Sequence, residues 1–432
     1  MNRILRAAFV ASLLCSTAGA VALMSAAPAV ADDKDKSEKV SPSVGKPLSE
    51  AQKLMQAGDN AGAVAKIKEA QAVADRTPFD DYKINQFLAA AAISMKDYAT
   101  ATTATEAAAD SPAIPDDDKK TTYYNALLLA NNAKQYQKAV VYGQNLATMN
   151  QLDEKSETQI AVAYYELKDI QHAQQYAQMA MTAAKAANHE PDPNVLRIVM
   201  SAQVGQNDQT GAEKTLEALV IADPDESSDA WRQLVDVALS AKGSRDLDAM
   251  YLFRLKVTAG AMTDAEDYKV LASLAEQLGY PTEAVDVLQK GISSGKLSSG
   301  EAGELLSKGR KDAAQDERML PQIAAQAEKS KTGEQEAKLG EDYYGYGRYA
   351  DAETAARAAM AKGGLKDPGE GPLLLGAALV GQGKFDDAAQ AFSQVAGSPS
   401  KLKVAHLWSL YAQAKSKKAG GAAPPPATPP AH

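Results

Sequence analysis

The sequence predicts an all-α fold, an α-solenoid of about ten helix-turn-helix repeats with a C-terminal capping helix. Three observations carry this. Small residues recur at Ala63, Ala101, Ala139, Ala173, Ala212, Ala249, Ala284, Ala352 and Ala388, in steps of 34 to 39 residues with one step of 68, twice 34. Around them apolar residues fall at i, i+3, i+4 and i+7, the spacing that lines one side of a helix. Finally, nothing between Leu48 and Gly397 alternates with period two, so no sheet is expected, and the Ala-rich composition favours helix throughout.

Taken in order, Met1–Arg6 is short and basic, Ala7–Met24 is apolar, and Ala29-Val30-Ala31 is an A-x-A cleavage signature. This predicts a signal peptide over 1–31, cleaved after Ala31. Pro28 and its small neighbours break the apolar run and argue against a retained anchor. Cys15 follows Leu13-Leu14 inside that run, which does not suit lipidation. It is the only cysteine, so the mature chain has no disulfide and no cysteine-ligated metal. Export without disulfides points to a bacterial periplasm. Residues 32–46 (DDKDKSEKVSPSVGK) are charged and aperiodic, a flexible linker.

The repeat region spans 47–398. Its best-formed pair is Gly333–Pro368, where Gly340 and Ala352 are small at the expected helix crossing and Tyr343 and Tyr349 fill the wedge between helices. The step of 68 implies a degenerate pair over Ser299–Lys331, with Leu305 and Leu306 in its first helix and a second helix opening near Pro321. Pro112, Pro115, Pro191, Pro193, Pro224, Pro281 and Pro399 fall at boundaries, where proline starts or stops a helix. Residues 399–418 form the capping helix. Val404, Leu407, Trp408 and Tyr411 cover the last pair and the lysines face water. Residues 419–432 are a disordered Pro/Ala tail.

Leu339, Gly340, Tyr343, Gly347, Tyr349, Ala352, Ala356 and Ala359, with Pro368 behind them, resemble the tetratricopeptide repeat (TPR) family. Leu375, Gly376, Leu379, Gly383, Phe385, Ala388 and Phe392 repeat the pattern, as do Ile160, Ala161, Tyr164, Ile170, Ala173, Ala177 and Ala180. The resemblance covers Leu48 to Gly397 and is partial in the other units. It implies a right-handed superhelix whose first helices line a concave groove for extended or helical peptides. Carried over by register, Tyr124, Leu128, Asn131, Asn132, Tyr165, Arg197, Ser201, Tyr344 and Val380 face that groove. The lysine/asparagine clamp of chaperone-binding TPR domains is not reproduced at these positions.

Net charge is −9, and −11 once Arg3 and Arg6 are removed, with no basic patch, so nucleic acid is not an expected partner. Three motif matches are explained by register instead. Gly291–Gly295 reads G-x-S-x-G but follows a helix, not the strand a nucleophile elbow needs. Gly345–Ala350 reads G-x-G-x-x-A but is an intra-pair turn. Asp223, Asp225 and Asp229 lack the glycine of a calcium loop and suit a helix N-cap. The four histidines, His172, His189, His406 and His432, form no metal-ligand pair. The expectation is therefore a non-enzymatic exported module without cofactor or metal. It binds a protein or peptide in envelope assembly, export or secretion, or alternatively serves as an oligomerising scaffold.

Overall fold

The computed structural model describes residues 39–421 apart from 226 and 241–243. The expected signal peptide and most of the expected tail lie outside the described residues. Among the described residues there are helices and no strand. They divide into two compact units, one ending at Ala202 and one beginning at Gln203. Within each unit successive helices pack on one another in pairs, an all-α arrangement.

Unit 1 contains α1 (Pro42–Gln56), α2 (Asn60–Gln71), α3 (Pro78–Ser94), α4 (Tyr98–Ala109), α5 (Asp116–Asn132), α6 (Tyr136–Thr148), α7 (Glu154–Glu166) and α8 (Ile170–Ala186). The part of α9 (Pro193–Gly205) up to Ala202 completes it. α1 begins at Pro42, inside the stretch expected as linker, because Pro42 at the first helical position leaves unmade only a bond that position lacks anyway.

One turn grammar recurs between the helices of a pair. Lys96 and Lys168 adopt positive φ (62° and 66°) and reverse the chain. Asp97 and Asp169 then cap the second helix, their carboxylates accepting from the amides of Thr100 and His172. The amides of Asp97 and Asp169 donate back to the carbonyls of Ala92 and Tyr164, closing the end of the first helix. Between pairs the packing is close. A Cβ on Gly143 of α6 would stand 2.4 Å from Ile160 Cγ1 of α7, so only glycine fits there.

Unit 2 contains α10 (Gln209–Ala222), α11 (Ser228–Leu239), α12 (Asp246–Thr258), α13 (Ala265–Leu278), α14 (Pro281–Ser293), α15 (Ser299–Lys329), α16 (Glu334–Gly345), α17 (Tyr349–Lys362), α18 (Glu370–Gly381), α19 (Phe385–Phe392) and α20 (Pro399–Gly421). The crossing expected between α16 and α17 is present. A Cβ on Gly340 would meet Leu374 Cδ2 at 2.6 Å and Ala355 Cβ at 3.3 Å, and Ala352 is buried. Two helices are buried on every side, α12 from Met250 to Lys256 and α18 from Gly371 to Val380. A helix with no solvent face is a core element, not a member of an open ladder.

Two expectations are corrected. Ser299–Lys329 is a single helix of 31 residues, not a pair. Its middle, KGRKDAAQDER, is rich in Lys, Arg, Ala, Gln and Glu, which outweigh Gly309, and has no positive-φ residue followed by a capping Asp to reverse it. Pro321 sits inside this helix. The capping helix α20 reaches Gly421, into the stretch expected as tail, and does more than cover the last pair. It packs on α10, α11, α12 and α18 as well as α19.

Candidate binding surface

The expected groove residues divide according to unit. In unit 1, α5, α7 and α9 carry Tyr124, Asn131, Tyr165, Arg197 and Ser201, and a ladder of hydrogen bonds links Asn131 to α7 and Tyr165 to Ser201 of α9. The Asn131 amide donates to the main-chain carbonyl of Gln159 (2.8 Å) and to its Oε1 (3.1 Å), tying α5 to α7. The Tyr165 hydroxyl donates to Ser201 Oγ at 3.5 Å, a weak link from α7 to α9. Lys168 Nζ lies 5.5 Å from the centre of the Tyr165 ring. Tyr124, Asn131, Tyr165, Arg197 and Ser201 are half-buried and Asn132 is exposed. Leu128 is an exception: it is buried and contributes to the core beneath the ladder. Burial, and then the Asp153 carboxylate, hold the Tyr124 phenol above its usual range.

Such a surface is flat, aromatic and hydrogen-bonding. Tyrosines offer area with one polar handle, and amides match a peptide backbone as both donor and acceptor. Gln159, which orients Asn131, was not among the expected groove residues. Only its main-chain carbonyl and amide oxygen matter here.

In unit 2 the corresponding positions form no groove. Val380 is buried within α18. The Tyr344 ring packs 4.3 Å from the Arg254 guanidinium and 5.3 Å from the Tyr349 ring, so its face is already taken. Arg254, on α12, is 2% exposed. Its Nε and Nη2 form a bidentate pair with Glu283 of α14 at 2.7 and 2.6 Å, and its Nη1 bonds Glu341 of α16 at 2.6 Å. The Tyr251 hydroxyl donates to the other oxygen of Glu341 at 2.6 Å. Burial opposes the charge on Arg254, yet Glu283 and Glu341 outweigh it and keep the guanidinium ionised. This cluster joins three helices distant in sequence. The sequence signal was present: Arg254 is the one arginine inside the apolar run Met250–Leu255.

A second buried ion corrects the expectation that the α20 lysines face water. Lys401 is fully buried, 2.9 Å from Asp367, 3.8 Å from Asp248 and 3.9 Å from Glu370. Arg245 completes the cage with a 2.6 Å bond to Asp367. Along α20 the apolar residues Val404, Leu407, Trp408 and Tyr411 are all buried. Trp408 Nε1 donates to the Tyr251 carbonyl at 3.0 Å, and its ring meets Phe392 of α19. The Tyr411 hydroxyl donates to the Thr258 carbonyl, and its ring meets Trp231 of α11 edge-on. The interior of unit 2 is thus filled by its own C-terminal helix.

The two misleading motifs also take their places. Ser293 is the last residue of α14, with its hydroxyl on the Lys290 carbonyl, and Gly347 has φ 70° in the turn between α16 and α17. Among the described residues no group of three or more His, Cys, Asp and Glu could hold a metal ion, and no helix is long and apolar enough to cross a membrane.

No family model and no curated protein matches the chain. Similar solved structures include MamA from Desulfovibrio magneticus RS-1, at 13% identity, covering 44% of this chain and 99% of that one with a TM-score of 0.33. A tetratricopeptide repeat protein from Parabacteroides merdae ATCC 43184 shares 14% identity over 62% of this chain and all of its own, with a TM-score of 0.36. The apo form of RapI shares 12% over 63% of this chain and 99% of its own, with a TM-score of 0.33.

Proposed function

We propose that the protein is a non-enzymatic binding module that takes up a segment of a partner protein on the α5–α7–α9 face of unit 1. The observation that carries this reading is the Asn131–Gln159 and Tyr165–Ser201 ladder, with Tyr124 half-buried on the same helix as Asn131, in contrast to a second unit whose interior its own helix fills. The ladder offers hydrogen-bonding side chains on rigid helices, and fixed positions reduce the ordering cost of binding. The N-terminal sequence supports an exported protein, which would put the partner in the cell envelope, in assembly, export or secretion.

The test is recovery of partners from envelope extract on the immobilised chain and on the double variant Tyr124→Ala/Tyr165→Ala. The reading requires loss of a recovered protein with unchanged helix content. If every recovered protein binds both chains equally, the ladder is not the binding surface.

A further inference from the structure

Unit 2 contains a groove that already holds a helix, and the contacts along that helix change from one end to the other. At the N-terminal end of α20, Lys401 is caged by Asp248, Asp367 and Glu370. Withdrawing it would leave these carboxylates without their buried cation, so this end is an anchor. In the middle, Trp408 and Tyr411, three residues apart, fill the space between Trp231, Tyr251 and Phe392. Along the α10 edge the contacts are ionic and solvent-facing: Lys403 to Glu213 and Glu217, and His406 to Glu217 at 2.9 Å. At the C-terminal end the polar contacts are on the outside: Lys418 to Asp225 (2.7 Å), Lys415 to Asp225 (3.9 Å) and Lys415 to the Pro224 carbonyl (3.3 Å) on the α10–α11 loop, and the Ser416 hydroxyl to Asp386 of α19, with the small Ala412 and Ala414 alone beneath them. Exposed pairs of this kind contribute little each and weaken with salt.

We propose that α20 is a cis-acting latch. Anchored at Lys401, it swings out from its C-terminal end. The groove it vacates accepts an amphipathic helix of the same pattern, two aromatic residues three positions apart with lysines one turn beyond. The resident helix defines the ligand chemistry. The groove offers aromatic walls from Trp231 and Tyr251 and carbonyl acceptors from Tyr251 and Thr258. Its acidic rim consists of Glu213, Glu217 and Asp225. This site is separate from the ladder of unit 1 and does not depend on it. An external helix binds only the open fraction, so its apparent affinity is reduced by the closed population.

The probe is a dansyl-labelled synthetic peptide of residues 404–414, which carries Trp408 and Tyr411 but ends before the lysines that face Asp225, added to the full chain and read by anisotropy. Asp225→Lys places a repelling charge against Lys415 and Lys418 without touching the buried face. It is expected to bind the probe about tenfold more tightly than the wild type. Trypsin reports the same opening, because Lys415, Lys417 and Lys418 are on the outer end. Cleavage after Lys415 should be about fivefold faster in the variant, while Lys401 stays protected. Equal probe affinity for the two chains, or no binding to either, overturns the latch. So does cleavage at Lys401 and Lys415 at one rate, since the helix would then leave as a whole. If Asp225→Lys lowers helix content, Asp225→Asn serves for the same comparison with a smaller expected gain.

Discussion

Units 1 and 2 use one repeat grammar and reach different interiors. In unit 1 the first helices α5, α7 and α9 are linked by neutral hydrogen bonds, Asn131 to Gln159 and Tyr165 to Ser201, while α3 and α5 share the part-exposed Lys83–Asp118 pair, and their outer atoms remain partly in water. In unit 2 the same layer is sealed by α12 and α18, which have no solvent face, by the C-terminal helix, and by three buried cations, Arg254, Lys256 and Lys401. Turn residues and small crossing residues therefore set the pairing of helices but not whether a groove stays open. That is decided by a few positions where an apolar helix carries an ion. An arginine inside an apolar run forces distant acidic residues to converge on it, because an unpaired buried charge costs more than the ordering needed to pair it.

The largest break in this contrast comes from Arg254→Met. It leaves Glu283 and Glu341 buried without a counter-charge and should destabilise unit 2 by about 3–5 kcal/mol. Replacing both glutamates by leucine in the same chain should recover most of that loss, since a packed apolar cluster of similar volume is often as stable as the ionic one. The readout can separate the units. The chain has two tryptophans, Trp231 and Trp408, and both lie in unit 2. Tryptophan fluorescence during urea unfolding therefore follows unit 2 alone, while far-ultraviolet circular dichroism follows both. A fluorescence midpoint that does not move with Arg254→Met would show that the cluster does not hold unit 2 together. Trp408→Ala empties the space between Tyr251 and Phe392 and should cost about 3–5 kcal/mol in the same transition. The part of the dichroism change that belongs to unit 1 should stay where it is.

Asp342 gives a smaller effect with a pH signature. It is buried on α16, neither oxygen has a hydrogen-bond partner, and burial, then Asp316, push its carboxyl up to about 7 from 3.8. The folded state thus holds a proton that the unfolded chain releases. Stability from this group is complete below pH 4 and is lost as pH rises through 7. Asp342→Asn removes the titration and with it the charge that Asp316 would oppose. The variant should match the wild type near pH 4 and exceed it by about 1–3 kcal/mol at pH 8. A stability difference that stays flat over that range would mean Asp342 is not protonated in the folded protein.

Much of the fold was legible in the sequence because its signals are local. Gly340, Ala352, Gly347 and the Asp caps declare crossings and turns within a dozen residues of where they act. The interior of unit 2 was less legible because its determinants are pairwise and distant. Nothing near Lys401 announces Asp248 or Asp367, and a lysine beside an apolar stripe ordinarily faces water. Tyr344 was placed in a groove by register alone, and register does not reveal that Arg254 of another repeat lies across its ring. The long helix α15 was misjudged for a different reason. Its periodicity continues through the expected turn, and the missing turn residues argue against a break more strongly than Pro321 argues for one.

The ladder of unit 1 sharpens the contrast at its other end, where stability and binding should part. Tyr165 is half-buried, and its hydroxyl bond to Ser201 is long, so Tyr165→Ala should change unit 1 stability by less than about 1 kcal/mol. If the ladder is the contact surface, the same change removes the largest aromatic area on α7. Partner affinity should then fall by about tenfold or more, the usual cost of truncating an interfacial tyrosine. Tyr165→Phe keeps the ring and loses the hydroxyl, so it should retain most of the binding. Tyr344→Ala in unit 2 should show the reverse: a stability loss through the uncovered Arg254 face and no change in partner affinity. Measuring all three by dichroism and by titration against one recovered partner places each tyrosine on one side of the divide. A Tyr165→Ala variant that loses stability but keeps its partner would make the ladder structural and move the binding surface elsewhere.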